Sequence, residues 1–253
     1  MADVPQGNRL EGKVALISGG ARGMGEAFGR AMVAQGAKVV LGDVLDTEGE
    51  AVAADLGSAA TYVHLDVTDR GQWDDAVATA VERYGKLDVL VNNAGVVDFG
   101  PVDAYPREQW DRVIDINLTG VFNGIDAAVE ALKASAPSSI INISSTAGIQ
   151  GYTALPGYNA AKFGVRGLTK SVALDLGTEG VRCNSVHPGA VATPMTADLD
   201  VPQKHVAMRR VGRPDELANL IVFLASDESS YSTGAEFVAD GGETAGLAPG
   251  ATD

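Results

Sequence analysis

The chain has 253 residues, of which 45% are hydrophobic and 21% are charged, a composition that suits one large domain with a substantial core. Its 19 basic and 33 acidic residues give a net charge of −14, which excludes a nucleic-acid-binding protein or an anionic-membrane binder as the first interpretation. No apolar run is long enough to span a membrane and no signal-peptide pattern is present, so a cytoplasmic location is expected.

The side chains that commonly bind metals are few and scattered. Cys183 is the single cysteine, and neither a cysteine nor a histidine lies close to it in the sequence. We interpret it as a small buried apolar residue. His64, His187 and His205 lack the spacing of metal ligands. No metal site is therefore expected.

Strand and helix patterns alternate from the first apolar run onward. After a polar N-terminal tail over 1–11, residues 13–18 form a continuous apolar run that is typical of a strand covered on both faces. A glycine-rich turn leads into a helix predicted over 24–35, and a second strand is predicted over 38–43. These segments make one β-α-β unit.

The same alternation continues to the end of the chain. It predicts an α/β fold with one Rossmann-like, doubly wound parallel sheet of about seven strands, with helices on both faces, over a single domain at 1–253. An irregular stretch, 193–211, is interpreted as a substrate lid. The further strands are predicted at 61–66, 88–92, 139–144, 181–186 and 235–239, and the further helices at 47–55, 70–84, 107–133, 156–176 and 214–224.

The glycine-rich turn and the acid that follows it indicate a dinucleotide site. Gly19, Gly23 and Gly25 lie between a strand and a helix, where glycines let the backbone approach a pyrophosphate, although their spacing differs from Gly-x-Gly-x-x-Gly. Asp43 ends the next strand, where a carboxylate would bond the ribose hydroxyls of NAD and repel the extra phosphate of NADP. The alternative is a solvated acid at a strand end. Arg22 could attract a phosphate, but we expect Asp43 to dominate.

Tyr158, Lys162 and Ser145 form the candidate catalytic group. Positions i and i+4 share a helix face, so the phenol of Tyr158 and the ammonium of Lys162 are expected in one cleft. A nearby cation would lower the phenol pKa, so that Tyr158 could act as general acid or base, while Ser145 donates a hydrogen bond to a carbonyl. Taken alone, the pair is also compatible with an ordinary amphipathic helix.

Taken together and in this order, the motifs resemble those of the short-chain dehydrogenase/reductase family from Lys13 to Gly242. The resemblance implies hydride transfer between a nicotinamide and a substrate carbon, with NAD as the cofactor and Tyr158 exchanging the proton on the substrate oxygen. The matching pieces are the glycine turn, Asp66-Val67, Asn92-Asn93-Ala94-Gly95, Asn117, Ser145, Tyr158 with Lys162, and Pro188-Gly189 followed by Thr193.

The resemblance also implies a role for each matching residue. Asp66 and Val67 would flank the adenine, Asn117 would help to hold a water that links Lys162 to solvent, and Thr193 would lie near the nicotinamide carboxamide. The implied catalytic set is Asn117, Ser145, Tyr158 and Lys162. The implied cofactor-binding set is Gly19, Arg22, Gly23, Met24, Gly25, Asp43, Asp66, Val67, Asn93, Ala94, Gly95, Tyr158, Lys162, Pro188, Gly189, Val191 and Thr193. The implied substrate contacts are Ser145, Tyr152, Tyr158, Met195 and Leu199.

Within the family, the chain looks most like the bacterial 3α(20β)-hydroxysteroid dehydrogenases, over residues 17–25, 42–43 and 224–237. This likeness implies an apolar ketone or alcohol of steroid size, and the family resemblance implies a homotetramer. The apolar side chains after Thr193 could form the wall of the lid and Tyr152 could add to it, or they could equally be plain core residues. The alternatives are a 3-oxoacyl-carrier-protein reductase, a small-ketone reductase, and a dinucleotide-binding protein without turnover. The first usually prefers NADPH and docks an acidic partner, and both Asp43 and the net charge argue against it.

Overall fold

The seven strands of the described chain form one parallel sheet in the order β3-β2-β1-β4-β5-β6-β7. The computed structural model describes residues 6–197 and 203–247. The predicted sheet and its strand count are confirmed. The strands are β1 (Val14–Ser18), β2 (Lys38–Asp43), β3 (Ala60–His64), β4 (Val89–Asn92), β5 (Ser138–Ile143), β6 (Val181–Pro188) and β7 (Glu236–Ala239).

The helices follow the strands in the predicted alternation. The predicted helix over 107–133 is confirmed in extent, and a π-helical segment, Asp115–Thr119, lies within it between two α-helical parts. Such wide turns are common at functional sites. The helices are α1 (Gly23–Ala34), α2 (Asp46–Leu56), α3 (Arg70–Tyr84), α4 (Arg107–Ile114), α5 (Gly120–Ala134), α6 (Pro156–Leu176) and α7 (Pro214–Ala225).

The core lies on both faces of the sheet, since successive side chains of a strand point to opposite sides. On β1, Ala15 and Ile17 join the cluster that packs against α1, α2 and α7. Val14 and Leu16 join the cluster that packs against α3, α5 and α6. Two covered faces explain why the strands are continuously apolar in the sequence. No described helix is both long and apolar enough to cross a bilayer.

Part of the expected polar tail belongs to the core. Leu10 is 1% exposed, and its N–H donates to the Gln35 carbonyl at the end of α1 over 2.9 Å. The Gly7 N–H donates to the Ala34 carbonyl over 3.0 Å. The described part of the tail therefore packs on the C-terminal end of α1, and Leu10 belongs to the core although residues 6–9 are exposed.

The strand order reverses beside β1, which pairs with β2 on one side and β4 on the other. The chain winds outward in both directions from this point, so the loops after β1 and β4 diverge and leave a crevice at their carboxyl ends. In open parallel sheets, this is where ligands bind. The fold thus predicts that the ligand site lies at the carboxyl ends of β1 and β4.

Candidate active site

A cavity of about 400 Å³ lies at the carboxyl edge of the sheet, at the reversal between β1 and β4. It is formed by the loops that follow β1, β2, β3 and β4, together with α4 and the segment after β6. Eleven of its lining residues were predicted as cofactor contacts: Gly19, Arg22, Gly23, Met24, Asp43, Asp66, Val67, Asn93, Ala94, Gly95 and Thr193.

The glycine turn is shaped for a close backbone approach. Gly19 has φ +65°, and a Cβ added there would lie 2.9 Å from the Ala94 Cα, so only glycine fits between the loops after β1 and β4. A Cβ on Gly25 would lie 2.0 Å from the Gly19 carbonyl oxygen. Gly25 therefore does not line the cavity, but lets the start of α1 pack on the turn.

Asn93 holds the glycine turn in place. Its side-chain Nδ2 donates to the carbonyls of Ser18 and Gly19 over 3.0 and 3.1 Å. The Ser18 hydroxyl in turn accepts from the backbone N–H groups of Asn93 and Ala94, each over 3.1 Å. The loops after β1 and β4 are thus cross-linked, so this wall of the cavity is preformed.

The Asp43 carboxylate lines the cavity and also braces the glycine turn. Its Oδ2 accepts from the Ala21 N–H over 3.0 Å, and its Oδ1 accepts from the N–H groups of Val44 and Leu45 over 2.8 and 3.2 Å. A carboxylate has about four acceptor positions, so lone pairs remain for ribose hydroxyls. Asp43 therefore carries a structural role beside its expected binding role.

Two exposed arginines line the cavity, and none of the described side-chain hydrogen bonds or ion pairs involves the guanidinium group of either. Arg22 was predicted and belongs to the glycine turn. Arg112 was missed, because nothing in the sequence around it marks this position of α4 as part of a cavity wall. The other lining residues that the sequence reasoning missed are Val44, Leu45, Leu65, Val96, Ile116 and Pro194. They are mostly apolar and could cover the flat faces of an adenine ring.

Asp66 presents an acceptor at the expected adenine end. Its Oδ1 accepts from the backbone N–H and the hydroxyl of Thr68 over 2.9 and 2.7 Å, and its own N–H donates to Gln72. These bonds fix the carboxylate beside Val67 in the cavity wall. The arrangement is suited to an exocyclic amine on a purine, which donates hydrogen bonds.

The described cleft fits a dinucleotide in three respects. It has glycines where a pyrophosphate needs close backbone contact, a carboxylate at the end of β2 for a ribose, and an apolar pocket with one acid beyond β3. These residues belong to three different loops, which only the sheet brings together. The chain's own residues could therefore hold NAD.

Ser145 and Tyr158 share a hydrogen bond at the end of β5. Burial raises the pKa of Tyr158 above its ordinary value, and the bond from Ser145 lowers it in part. The expectation of a net lowered pKa, caused by Lys162, is therefore wrong for this structure. The phenol is protonated at neutral pH, which suits a proton donor.

Lys162 lies behind Tyr158, with its Nζ 5.5 Å from the centre of the phenol ring. The side chain is buried, and its Nζ donates to the Ile143 carbonyl at the end of β5 over 2.9 Å. Burial lowers the pKa of Lys162 to about 8. The ammonium group is thus anchored to the end of β5.

Asn117 explains the π-helical segment. Its side chain is fully buried, its Oδ1 accepts from the Val96 N–H over 2.9 Å, and its Nδ2 donates to the Val96 carbonyl over 2.8 Å. A Cβ on Gly95 would lie 2.6 Å from that Oδ1 and 3.7 Å from the Lys162 Nζ. Asn117 therefore bonds to the loop after β4, and Gly95 of that loop lies close to both Asn117 and Lys162. Its expected water remains a prediction.

Six predicted cofactor residues do not line the cavity. Gly25 packs inside the turn, while Tyr158 and Lys162 lie next to it on α6. Gly189 is tightly covered, since a Cβ there would meet Asp240 at 3.0 Å. The remaining two, Pro188 and Val191, lie on β6 and just beyond it, and Val191 is buried. The roles of this group toward a nicotinamide stay predictions.

The predicted substrate contacts divide into three groups. Met195 is 44% exposed and lines the cavity, which supports a place at its mouth. Leu199 lies outside the described residues. The Tyr152 hydroxyl donates to Glu243 and lies 2.8 Å from the Thr146 hydroxyl, so the tip of this side chain is polar and bonded, and the contact of its ring with a substrate stays a prediction. This polar environment was invisible in the sequence, since Glu243 is distant along the chain.

The residues considered for metal binding are used otherwise. Cys183 is buried, as expected, and burial raises its pKa to about 12. His187 lies between the Ser185 hydroxyl and the Ser145 carbonyl, His64 contacts Asp46, and His205 contacts Glu243. Within residues 6–197 and 203–247, no group of three or more His, Cys, Asp or Glu side chains could hold a metal ion.

Comparison with known proteins places these features in a family. A family model described as enoyl-(acyl carrier protein) reductase matches residues 19–244. A 3-alpha-(or 20-beta)-hydroxysteroid dehydrogenase of Mycobacterium tuberculosis is 60% identical over 95% of this chain and 92% of its own length. A trans-4-hydroxycyclohexanecarboxylate dehydrogenase of Sinomonas cyclohexanicum is 51% identical over 94% and 95%. A cyclopentanol dehydrogenase of Comamonas testosteroni is 40% identical over 94% and 99%.

Proposed function

The chain belongs to the short-chain dehydrogenase/reductase family, and from this premise we propose that it is an NAD-dependent dehydrogenase of secondary alcohols, with hydroxysteroids as the substrate class. The observation that carries the proposal is the bonded Ser145–Tyr158 pair, in front of buried Lys162 and beside a cleft that fits a dinucleotide. A protein that only binds a dinucleotide has no need of this pair.

Bound nicotinamide would supply or accept the hydride, and the chain's residues handle the proton. In ketone reduction, Tyr158 donates its phenolic proton to the carbonyl oxygen, and Ser145 donates a hydrogen bond to the same oxygen. Lys162 is positively charged below about pH 8 and favours the phenolate that this transfer leaves. In alcohol oxidation, the same groups act in the reverse order.

The preference for NAD over NADP follows from Asp43. Its carboxylate is fixed by three backbone N–H groups, so it cannot turn away from an added phosphate. Repulsion between the two anions would disfavour NADP. Arg22 and Arg112 line the same cavity without pairing with Asp43, and we assign them to the pyrophosphate or the adenine rather than to a second phosphate.

The substrate class follows from the relatives and from the composition of the lid. The names of the three relatives specify dehydrogenases of a steroid, a cyclohexane and a cyclopentane derivative. Met195 and Met208 are exposed at 44% and 58%, on the side of the cleft where we place the substrate. A rigid apolar ring system would gain affinity by burying this surface, at roughly 25 cal/mol per Å².

The test is a substrate panel with purified protein. NADH oxidation is followed with 3-keto and 20-keto steroids, cyclohexanone, cyclopentanone and an acetoacetyl thioester, with the Tyr158→Phe variant as background. We expect the highest kcat/KM with a steroid ketone. A higher value with the thioester would favour the acyl-carrier alternative, and rates at the Tyr158→Phe background for every compound would overturn the proposal.

We further propose that the protein is a homotetramer with D₂ symmetry. On α6, Phe163 and Leu174 are 41% and 85% exposed, and on α5 Phe122 is 53% exposed. Gly167 is exposed on α6 with no atom within 4 Å of an added Cβ, so another helix could approach closely there. Light scattering should give four times the chain mass, and Gly167→Arg should reduce it. A monomeric wild-type protein at micromolar concentration would contradict this assembly.

A further inference from the structure

A buried carboxylate lies outside the cavity and outside the catalytic set. The Glu243 side chain is only 6% exposed. Its Oε1 accepts from the hydroxyl of Tyr152 and, over 3.4 Å, from the Nε2 of Gln150, and it lies 3.4 Å from the Nε2 of His205. Burying a carboxylate is costly unless it is hydrogen-bonded, so a group kept in this place needs an explanation beyond packing.

The segment that carries Glu243 is a rigid turn after β7. We call residues 240–244 the C-terminal turn. Asp240 accepts from the Gly242 N–H, the Thr244 N–H and the Thr244 hydroxyl, over 2.8, 2.8 and 2.6 Å. A Cβ on Gly189 would lie 3.1 Å from the Glu243 Oε2. The turn thus sets Glu243 against the end of β6, at the catalytic edge of the sheet.

The described part of the lid, residues 203–211, packs directly on this turn. A Cβ on Gly241 would lie 2.9 Å from Val206, and one on Gly242 would lie 2.8 Å from Ala207. The Met208 N–H donates to the Gly241 carbonyl over 3.0 Å. Both glycines have positive φ, +65° and +86°, so larger residues would be strained at these two positions of the turn. The contact between His205 and Glu243 is a further link between the lid and the C-terminal turn.

On its other side, Glu243 reaches the catalytic residues through Tyr152. The Tyr152 hydroxyl lies 2.8 Å from that of Thr146, which follows Ser145 in the chain. The Tyr152 carbonyl accepts from the Nδ2 of Asn159, the neighbour of Tyr158, over 3.2 Å. Burial, and then the carboxylate of Glu243, raise the pKa of Tyr152 to about 12, so it remains a donor.

We propose that Glu243 is a positioning residue for the substrate site, since one buried carboxylate joins the lid, through His205, to the Tyr152 segment between Ser145 and Tyr158. The inference rests on the proposed function and adds the C-terminal turn to the substrate end of the site. The Glu243 carboxylate holds the lid in the position that covers the substrate, and it touches neither the reacting carbon nor the dinucleotide cavity. Its removal should weaken substrate binding rather than the chemical step.

The experiment compares Glu243→Leu, Glu243→Gln and Tyr152→Phe, with Glu228→Gln as a control that removes an exposed carboxylate bonded to Arg9. Glu243→Leu and Tyr152→Phe should each raise KM for the best ketone about tenfold or more, with kcat and the Kd of NADH within about threefold. Glu243→Gln should have a KM close to that of the wild type, because its amide oxygen can still accept a hydrogen bond from Tyr152. The variant that combines Glu243→Leu and Tyr152→Phe should raise KM no further than the single variant with the larger effect.

A second readout does not depend on the substrate. Hydrogen exchange of the Met208 amide, and of the lid over 203–211, should be faster in Glu243→Leu, with unchanged protection in β1 and β5. Unchanged lid exchange would overturn the proposal even if no ketone of the panel is turned over. An unchanged KM in Tyr152→Phe, or an equal loss of NADH affinity and of protection across the sheet, would also overturn it.

Discussion

The ammonium group of Lys162 donates a hydrogen bond to the carbonyl of Ile143 over 2.9 Å, which anchors the charge of α6 to the last residue of β5. The lysine is buried, and its pKa is lowered to about 8. Below that pH the protein carries an ammonium group in a poorly solvated place. The catalytic charge is therefore maintained at the expense of stability.

Lys162→Met should stabilise the fold at neutral pH while it impairs turnover. A base whose native pKa lies below its unfolded pKa opposes folding fully below the native value, at ~1.4 kcal/mol per pKa unit. Between about pH 8 and the ordinary value of 10.5, the unfolded state binds more protons, so wild-type stability from this group rises with pH. The difference in the free energy of unfolding between Lys162→Met and the wild type, measured with urea, should therefore decrease across that pH range.

The matched control for this prediction is Lys170→Met on the same helix. Lys170 is 52% exposed and lies 2.8 Å from Glu236, so its charge is solvated and paired. Lys170→Met should therefore not raise the free energy of unfolding at pH 7. A Lys162→Met variant that is less stable than the wild type at every pH would show that the bond to Ile143 outweighs the desolvation of the charge.

Tyr158→Phe should leave cofactor affinity intact and reduce turnover by ~10² to 10⁴, the range expected when a general acid is lost. The reason is that the phenol is the group that transfers its proton to the substrate oxygen, whereas Ser145 only donates a hydrogen bond to it. Stopped-flow measurement of kcat and fluorescence titration of NADH separate the two effects. Turnover within a few-fold of the wild type would assign the proton to another group.

Ser145→Ala should move the pH profile of alcohol oxidation to higher pH. The hydrogen bond from Ser145 lowers the pKa of Tyr158, so its loss raises that pKa, and the phenolate required as base forms only at higher pH. Ser145→Thr keeps the hydroxyl and should keep the wild-type profile. Identical profiles for Ser145→Ala and the wild type would mean that the serine acts on the substrate alone.

Asp43→Asn should raise the ratio of kcat/KM for NADPH to that for NADH by about tenfold or more, equivalent to ~1.4 kcal/mol. Asparagine keeps one acceptor oxygen, which can serve the Val44 and Leu45 N–H groups but not the Ala21 N–H as well, whereas Asp43→Ala loses all three bonds and should reduce stability further. Asp46→Asn is the control, because it removes a neighbouring charge that does not line the cavity. Equal use of both cofactors by the wild type would refute the role of Asp43.

Gly25→Ala should destabilise the protein and weaken NADH binding, because the added Cβ would meet the Gly19 carbonyl at 2.0 Å and the turn would have to move. Gly177→Ala is the control. Gly177 has helical φ −59° and no atom within 4 Å of an added Cβ, so alanine should be neutral or stabilise by ~0.4 to 1 kcal/mol. Thermal unfolding of both variants checks the difference, and equal Tm values would contradict the close contact.

The strand and helix pattern could be predicted from the sequence because hydrophobic periodicity and the glycines at the turns are local features. The apolar run before Gly19 and the glycine at each turn predicted β1, α1 and β2 closely, and the alternation predicted the parallel sheet. The candidate cofactor residues after β1 and β2 were predicted from their place at strand ends, and those after β3 and β4 from the family resemblance. Each lies at a strand end, and all parallel strands of the sheet end at one edge.

The tertiary structure decided what depends on contacts between distant segments. The π-helical segment arises because Asn117 bonds to Val96, and no local pattern announces that contact. The raised pKa of Tyr158 and the lowered pKa of Lys162 arise from burial, which the spacing of the two residues does not reveal. Arg112 enters the cleft, and Glu243 meets Tyr152 at the opposite end of the site, only because the sheet brings their segments together. Residue types and spacing thus determined which chemistry is available, and packing determined how each group is charged and held.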